Sequence, residues 1–284
     1  MTNRRYDIET LLEEVVTLPS LPQSIARLLT LLEDPACSLR EVSRAISADP
    51  SISLKTLRLV NSAYYGLGQS VNTLEHAVML LGVRVIKNLA LTAAVFNSIG
   101  RAEDRFLRHS VACAVAMRVC AEAGPLASHL GAPDEAFVFG LLHDIGKVIL
   151  EEFLPDESAR IRTVAREDAK PWYRAEREIL GIDHAQVGAR LAEKWKLSSP
   201  IINAVAGHHD LSRCTPDTRM LAATLSVADY LCIASGFAGY EDAQSDLGAD
   251  VWAASELSKA DLIRIANRFF DVQSSIAELT KLAG

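Results

Sequence analysis

Residues 137–150 read FVFGLLHDIGKVIL, an apolar stretch interrupted by His143, Asp144 and Lys147. The three-to-four spacing of its apolar positions predicts a helix, over 133–152, with core on most sides. An imidazole and a carboxylate side by side in such a helix cost free energy unless something satisfies them. Two readings follow from the stretch alone. His143 and Asp144 are donors of the kind that zinc, manganese and iron accept, and adjacent helical residues, about 100° apart, grip an ion lying near the groove between them. Equally, they are a polar pair at the edge of an apolar core, with Lys147 reaching past it to solvent.

The same period runs through nearly the whole chain, and no Asn-Gly or Asp-Gly hairpin dipeptide occurs. The expected class is all-α, a multi-helix bundle. Helices are expected over 7–17, 22–33, 38–47, 51–62, 73–81, 83–99, 103–123, 133–152, 156–169, 172–180, 184–195, 199–208, 216–236 and 258–282. Asn72 with Glu75 reads as a capping box and Asp183 as the N-cap of the helix opening at His184. Pro22, Pro200 and Pro216 fall where a first turn tolerates proline. Residues 237–258, small and acidic, read as a loop or lid. The expected organisation is an N-terminal helical lobe over 1–100, a helical core over 101–236, and the acidic loop with a C-terminal helix over 237–284. That last helix carries Ile263, Phe269, Phe270 and Ile276, a candidate homodimer face.

Of the 284 residues 49% are hydrophobic, enough for a large aliphatic core. A net charge of −7 argues against broad nucleic-acid binding, which needs a basic face; Arg4-Arg5 and the RVIK stretch at 84–87 are sparse. The five cysteines form no CxxC pair, as expected of reduced thiols in a cytoplasmic protein, and Cys113 reads as core. The N-terminus turns acidic at MTNRRYDIETLLEE, and the longest uncharged-looking stretch, Leu221 to Tyr240, contains Asp229. No membrane association is expected.

Other ligand-type residues lie on apolar faces. His109 is followed at helical spacing by Cys113 and Met117. His184 shares a stripe with Val187, Gly188 and Leu191, and Gly188 there would let a second helix come close. His208 and His209 end IINAVAGHH just beyond Gly207, where a helix frays and both rings can turn inward. Asp229 keeps company with Ala222, Leu225 and Cys232, and a buried carboxylate needs a partner. Singly, each reads as a hydrogen-bonded core residue; together they read as a metal cage. His76 and His129 read as surface residues.

The order His109, His143-Asp144, His184, His208-His209, Asp229 resembles the HD superfamily of metal-dependent phosphohydrolases. More specifically, LPSLPQSIARLLTLLEDP, EVSRAISADPSISLKTLRLVNSAYYG and VNTLEHAVMLLGVRVIKNLAL, within residues 18–92, resemble the HDOD, or HD-related output, domains of bacterial signalling. The resemblance runs from about 15 to 235. It implies an HD-like metal-binding helical core beside the N-terminal lobe, and a regulatory module that meets signalling proteins in trans and takes a nucleotide or phosphorylated ligand. The alternative it implies is a phosphohydrolase acting on nucleotides or cyclic dinucleotides, with Asp144 and Lys147 as catalytic residues.

By the same resemblance the cofactor is a divalent metal, one or two ions of Fe, Mn, Zn or Ni. His109, His143, Asp144 and Asp229 would surround one, and Asp144 would bridge to a second held by His184, His208 and His209. Cyclic-dinucleotide phosphodiesterases of the HD-GYP type carry Gly-Tyr-Pro soon after their paired histidines. Here DLSRCTPDTRM follows His209.

Overall fold

The computed structural model describes residues 23–31, 37–98, 104–128, 133–239 and 246–283; the helix expected over 7–17 and His129 lie outside them. Among the described residues there is no strand. The helices are α1 Gln23–Leu31, α2 Leu39–Ser47, α3 Pro50–Val60, α4 Leu74–Ser98, α5 Asp104–Ala123, α6 Pro133–Leu142, α7 Ile145–Phe153, α8 Pro155–Glu167, α9 Trp172–Ile179, α10 His184–Lys194, α11 Ser199–Gly207, α12 Arg219–Ala234, α13 Ala249–Ser255, α14 Lys259–Val272 and α15 Ser274–Ala283.

Helix α5 is the axis. It is buried on nearly every side from Phe106 to Ala121, as expected of a helix apolar all round. Helices α6, α12, α14 and α15 pack on it. One hydrophobic cluster runs from Ile25 in α1 to Leu279 in α15. The C-terminal stretch folds as two helices rather than one. It packs within its own chain, with Phe269 and Ile276 buried and Ile263 and Phe270 exposed. Helix α15 also touches α3 and α4, and the Glu278 carboxylate accepts from the Ala63 amide at 3.2 Å. Leu74–Ala94 of α4 is long and apolar enough to cross a bilayer. It is kinked at Gly82, whose φ of 82° and ψ of 161° few other residues adopt, and it packs against α2, α3 and α6.

Several local expectations change. The helix expected over 133–152 is broken at His143-Asp144 into α6 and α7. The His143 ring takes the Gly140 carbonyl, and Asp144 leaves helical geometry at φ −98° and ψ 6°. Both flanking helices are buried, so the apolar period crosses the break without a mark. The cap before α4 comes from Thr73, whose hydroxyl accepts from the His76 amide at 3.2 Å, not from Asn72 with Glu75. The 237–258 segment contains α13. Asp183 does cap α10, with Gln186 completing the box.

Close helix contacts rest on glycine. A Cβ on Gly140 would sit 2.2 Å from the Cys113 carbonyl oxygen, and one on Gly146 would sit 2.0 Å from that of His184. Gly188 faces the Gly146 amide, so α7 and α10 meet backbone to backbone. Gly146→Ala is therefore expected to destabilise the fold by about 2 kcal/mol or more, as overpacking against backbone does. Gly68→Ala, with open space around it, should leave stability within about 0.5 kcal/mol. Urea unfolding checks both, and equal midpoints would contradict the tight crossing.

Candidate metal centre

Each break or helix end just described delivers a side chain to one buried place. Helix α5 carries His109 and, one turn on, Cys113; the α6–α7 break carries His143 and Asp144. His184 is the first residue of α10, His208 and His209 follow the end of α11, and Asp229 sits in α12. All the residues expected at the site converge. As the residue before α7, Asp144 stands where a carboxylate would usually cap the helix, yet it makes no capping bond and turns inward instead.

Its two oxygens face different groups. Oδ2 lies 3.3 Å from His109 Nε2 and 3.5 Å from His143 Nε2, while Oδ1 lies 3.0 Å from His184 Nε2 and 3.8 Å from His208 Nε2. Asp229 Oδ1 completes the first group, 3.3 Å from His109 Nε2 and 3.8 Å from His143 Nε2. In the second, His209 Nε2 is 3.1 Å from His184 Nε2. Two donor sets result, His109, Cys113, His143 and Asp229, and Asp144, His184, His208 and His209, each with its ligand atoms within 4.8 Å of one another.

The hydrogen bonds behind the rings determine what those nitrogens are. His109 Nδ1 meets the Phe237 carbonyl, His143 Nδ1 the Gly140 carbonyl and His208 Nδ1 the Val205 carbonyl, each at 2.7 Å. His184 Nδ1 meets the Glu176 carboxylate at 2.6 Å. Carbonyl and carboxylate oxygens only accept, so each Nδ1 donates, and the Nε2 atoms turned toward one another are the positions left for a proton or a cation. This is the orientation that metal-binding histidines take from their outer partners. Nε2 atoms 3.3 Å apart, as those of His109 and His143 are, need a proton or a cation between them. Asp144 Oδ1 and His208 Nε2 are buried with no hydrogen-bond partner. The donor set and these orphaned atoms fit a divalent cation.

The local electrostatics agree. Burial alone would raise the Asp144 carboxyl, but His143, Lys147 and His184 overcome it and hold the group well below the usual carboxylate range. Asp229 is likewise held low, against burial, by His109 and His143. Burial, then the neighbouring rings, pushes His208 down to about 3 and His209 well below the ordinary histidine value. Burial also opposes charge on His184, yet Glu176 and Asp144 bring it to about 9. Without a cation, then, the cage draws positive charge from its own rings.

Lys147 does not snorkel: its ammonium donates to Asp144 Oδ2 at 2.6 Å and its side chain is 13% exposed. Around the second group, Arg177 and Arg213 hold the Asp183 cap at 2.6 and 3.3 Å. Tyr173 stacks on the His209 ring, centroids 4.3 Å apart. Its hydroxyl donates to Asp246 at 3.1 Å, and Arg174 pairs with the same carboxylate. A cleft of about 330 Å³ between these residues reaches His208, His209 and Asp229.

Sequence reasoning missed Glu176, Tyr173 and the place of Cys113. Glu176 carried a signal, because an acid beside Ala175 and Ile179 on a buried helix face needs a partner as much as Asp229 does. Tyr173 is exposed by its pattern, and only the fold brings it to His209.

Fold and site together define an all-helical protein with a buried histidine–aspartate cage suited to divalent metal. The chain belongs to the HDOD domain family, whose profile matches residues 18–211. It is similar to a Shewanella amazonensis protein provisionally named a phosphohydrolase, at 27% identity over 96% of this chain and 98% of that one, with a TM-score of 0.78. An HDOD domain protein of unknown function from Geobacter sulfurreducens shares the fold, with a TM-score of 0.77 at 22% identity over 98% of each chain. An uncharacterized Treponema pallidum protein is 26% identical over 222 residues, 76% of this chain and 42% of its own length. The chain spans less than half the length of the curated relatives it matches.

Glu176→Gln keeps the shape of the acid and removes its charge. Retention of divalent metal against a competing chelator is expected to weaken about 10–100-fold, as loss of a histidine's outer partner does elsewhere. Unchanged retention would make Glu176 a structural acid only.

Proposed function

We propose that the chain is a bacterial signal-transduction module whose HD-type pocket holds one or two divalent ions and acts through protein partners or ligand binding rather than turnover. His109, His143, Asp144 and Asp229 would hold one ion, and His184, His208 and His209, with the other oxygen of Asp144, a second. When bound, such ions supply Lewis acidity and, in enzymes of this chemistry, a water of lowered pKa. The remaining work falls to the chain. Glu176 and the carbonyls of Gly140, Val205 and Phe237 fix the rings, and Lys147 neutralises Asp144.

One observation carries the regulatory reading: the cations beside the cage are already engaged. Lys147 is held by Asp144, Arg174 by Asp246, and Arg177 by Asp183 and Asp210. A phosphoryl group entering the cleft would compete with these carboxylates for the same cations, with one Arg177 guanidinium nitrogen lacking a hydrogen-bond partner. The packing supports a route outward, because α5 carries His109 and is gripped by α15, which also touches α3 and α4 of the N-terminal lobe. Leu54, Met79 and Leu80 on that lobe are exposed and would meet signalling partners in trans in the cytoplasm. Ile263 and Phe270 would serve a homodimer.

The cleft itself favours a second reading, a metal-dependent phosphohydrolase of nucleotides or cyclic dinucleotides, with Asp144 and Lys147 catalytic. Arg174 and Arg177 in its walls would receive phosphate; the lack of Gly-Tyr-Pro after His209 weighs against cyclic dinucleotides. The deciding experiment loads the protein with Mn or Fe(II), measures bound metal, and follows turnover of a nucleotide and cyclic-dinucleotide panel. The regulatory reading expects loaded protein with no turnover above that of Asp144→Ala. Turnover that Asp144→Ala abolishes would replace it with the phosphohydrolase.

A further inference from the structure

We propose that Cys113 is a sulfur ligand of the first donor group, so that this centre takes a borderline-soft ion such as Zn, Fe(II) or Co(II) in preference to Mg or Ca. The inference rests on the metal-binding reading of the cage and adds the donor that decides which ion it holds.

The distances carry it. A four-coordinate ion with metal–nitrogen bonds of about 2.0–2.1 Å and a metal–sulfur bond of about 2.3 Å spaces its donors about 3.3 Å apart for nitrogen or oxygen pairs and about 3.6 Å for nitrogen–sulfur pairs. His109 Nε2 lies 3.3 Å from His143 Nε2, 3.3 Å from Asp229 Oδ1 and 3.7 Å from Cys113 Sγ. Sγ is 4.0 Å from Asp229 Oδ1. With His143 Nε2 3.8 Å from Asp229 Oδ1 and all four ligand atoms within 4.8 Å of one another, two nitrogens, one oxygen and one sulfur face a common point, more widely spaced than in a closed site. Asp144 Oδ2, as near to His109 Nε2 and paired with the Lys147 ammonium at 2.6 Å, would stand beside these four as a further donor.

The placement follows from the chain. Residues four apart on α5 share a face, so a histidine facing the cage brings Cys113 with it. Gly140 lets α6 press on the Cys113 carbonyl, which fixes the backbone that aims the sulfur. Cys113 also neighbours Cys232 of α12, and the bland reading is a core thiol between two helices. A core thiol donating its S–H to Asp229 accounts for the 4.0 Å contact; the 3.7 Å approach to His109 Nε2 is the spacing that ligation adds. Coordination would replace the S–H proton by the ion, the proton leaving to solvent, with no electron transferred. A thiolate donor favours the softer divalent ions.

The test loads metal-free protein with Co(II), counts bound cobalt by mass spectrometry and records near-ultraviolet absorption. A sulfur-to-cobalt charge-transfer band is expected in the wild type and in Cys232→Ser, and none in Cys113→Ser. Cobalt affinity should fall about tenfold or more in Cys113→Ser. X-ray absorption on the wild type should give a sulfur shell at about 2.3 Å, a readout that does not depend on a variant folding. Bound cobalt with neither band nor sulfur shell overturns the sulfur ligand and leaves the metal reading standing. A band lost in Cys232→Ser but kept in Cys113→Ser overturns it too. A protein that takes up no cobalt overturns both readings.

Discussion

Asp144 is a carboxylate buried to 1% exposure whose two oxygens serve two different groups of histidines. A charge so placed must be neutralised from within the fold, and much of the architecture answers that demand. The α6–α7 helix is broken to turn it inward, Lys147 is drawn in from solvent, and α10 starts at His184 to present a ring to it. The glycine crossing of α7 and α10 is what lets His184 come within 3.0 Å.

Around that carboxylate the rings are oriented from behind. Carbonyls left open at the ends of α6 and α11 accept the Nδ1 protons of His143 and His208. Helix termini thus supply the acceptors that a continuous helix would use internally. The cage is suited to a cation, and the cleft that reaches it is walled by carboxylate–guanidinium pairs and the Tyr173–His209 stack. The proposed binding and signalling role rests on this combination of an ion cage with largely paired cations in the cleft, since phosphoryl chemistry needs cations available to the substrate.

Much of the helical class was legible because three-to-four apolar spacing is strong in amphipathic helices such as α2 and α9, and the Asp183 cap because its chemistry is local. The convergence of His109, His143-Asp144, His184, His208-His209 and Asp229 was legible because each sits on an apolar face where a polar group needs a reason. The break at His143-Asp144 was not, since burial on both sides keeps the apolar period running through it. Glu176 drew no reading at all, and Cys113 read as ordinary core. Their roles depend on what lies across the helix interface, which one-dimensional spacing does not encode. Thr73 in place of Asn72 as a cap is a one-residue choice between two competent side chains.

Anomalous diffraction, from crystals grown with a saturating divalent ion and measured at that ion's absorption edge, tests the central claim most directly. If the cage is a metal centre, an anomalous peak will lie within bonding distance of an Asp144 oxygen and the facing Nε2 atoms of at least one histidine group. The Nδ1 contacts to Gly140, Val205 and Glu176 will persist alongside it. A cage with no anomalous density at saturation, its rings turned so that Nε2 atoms bond to protein groups instead, would contradict that claim.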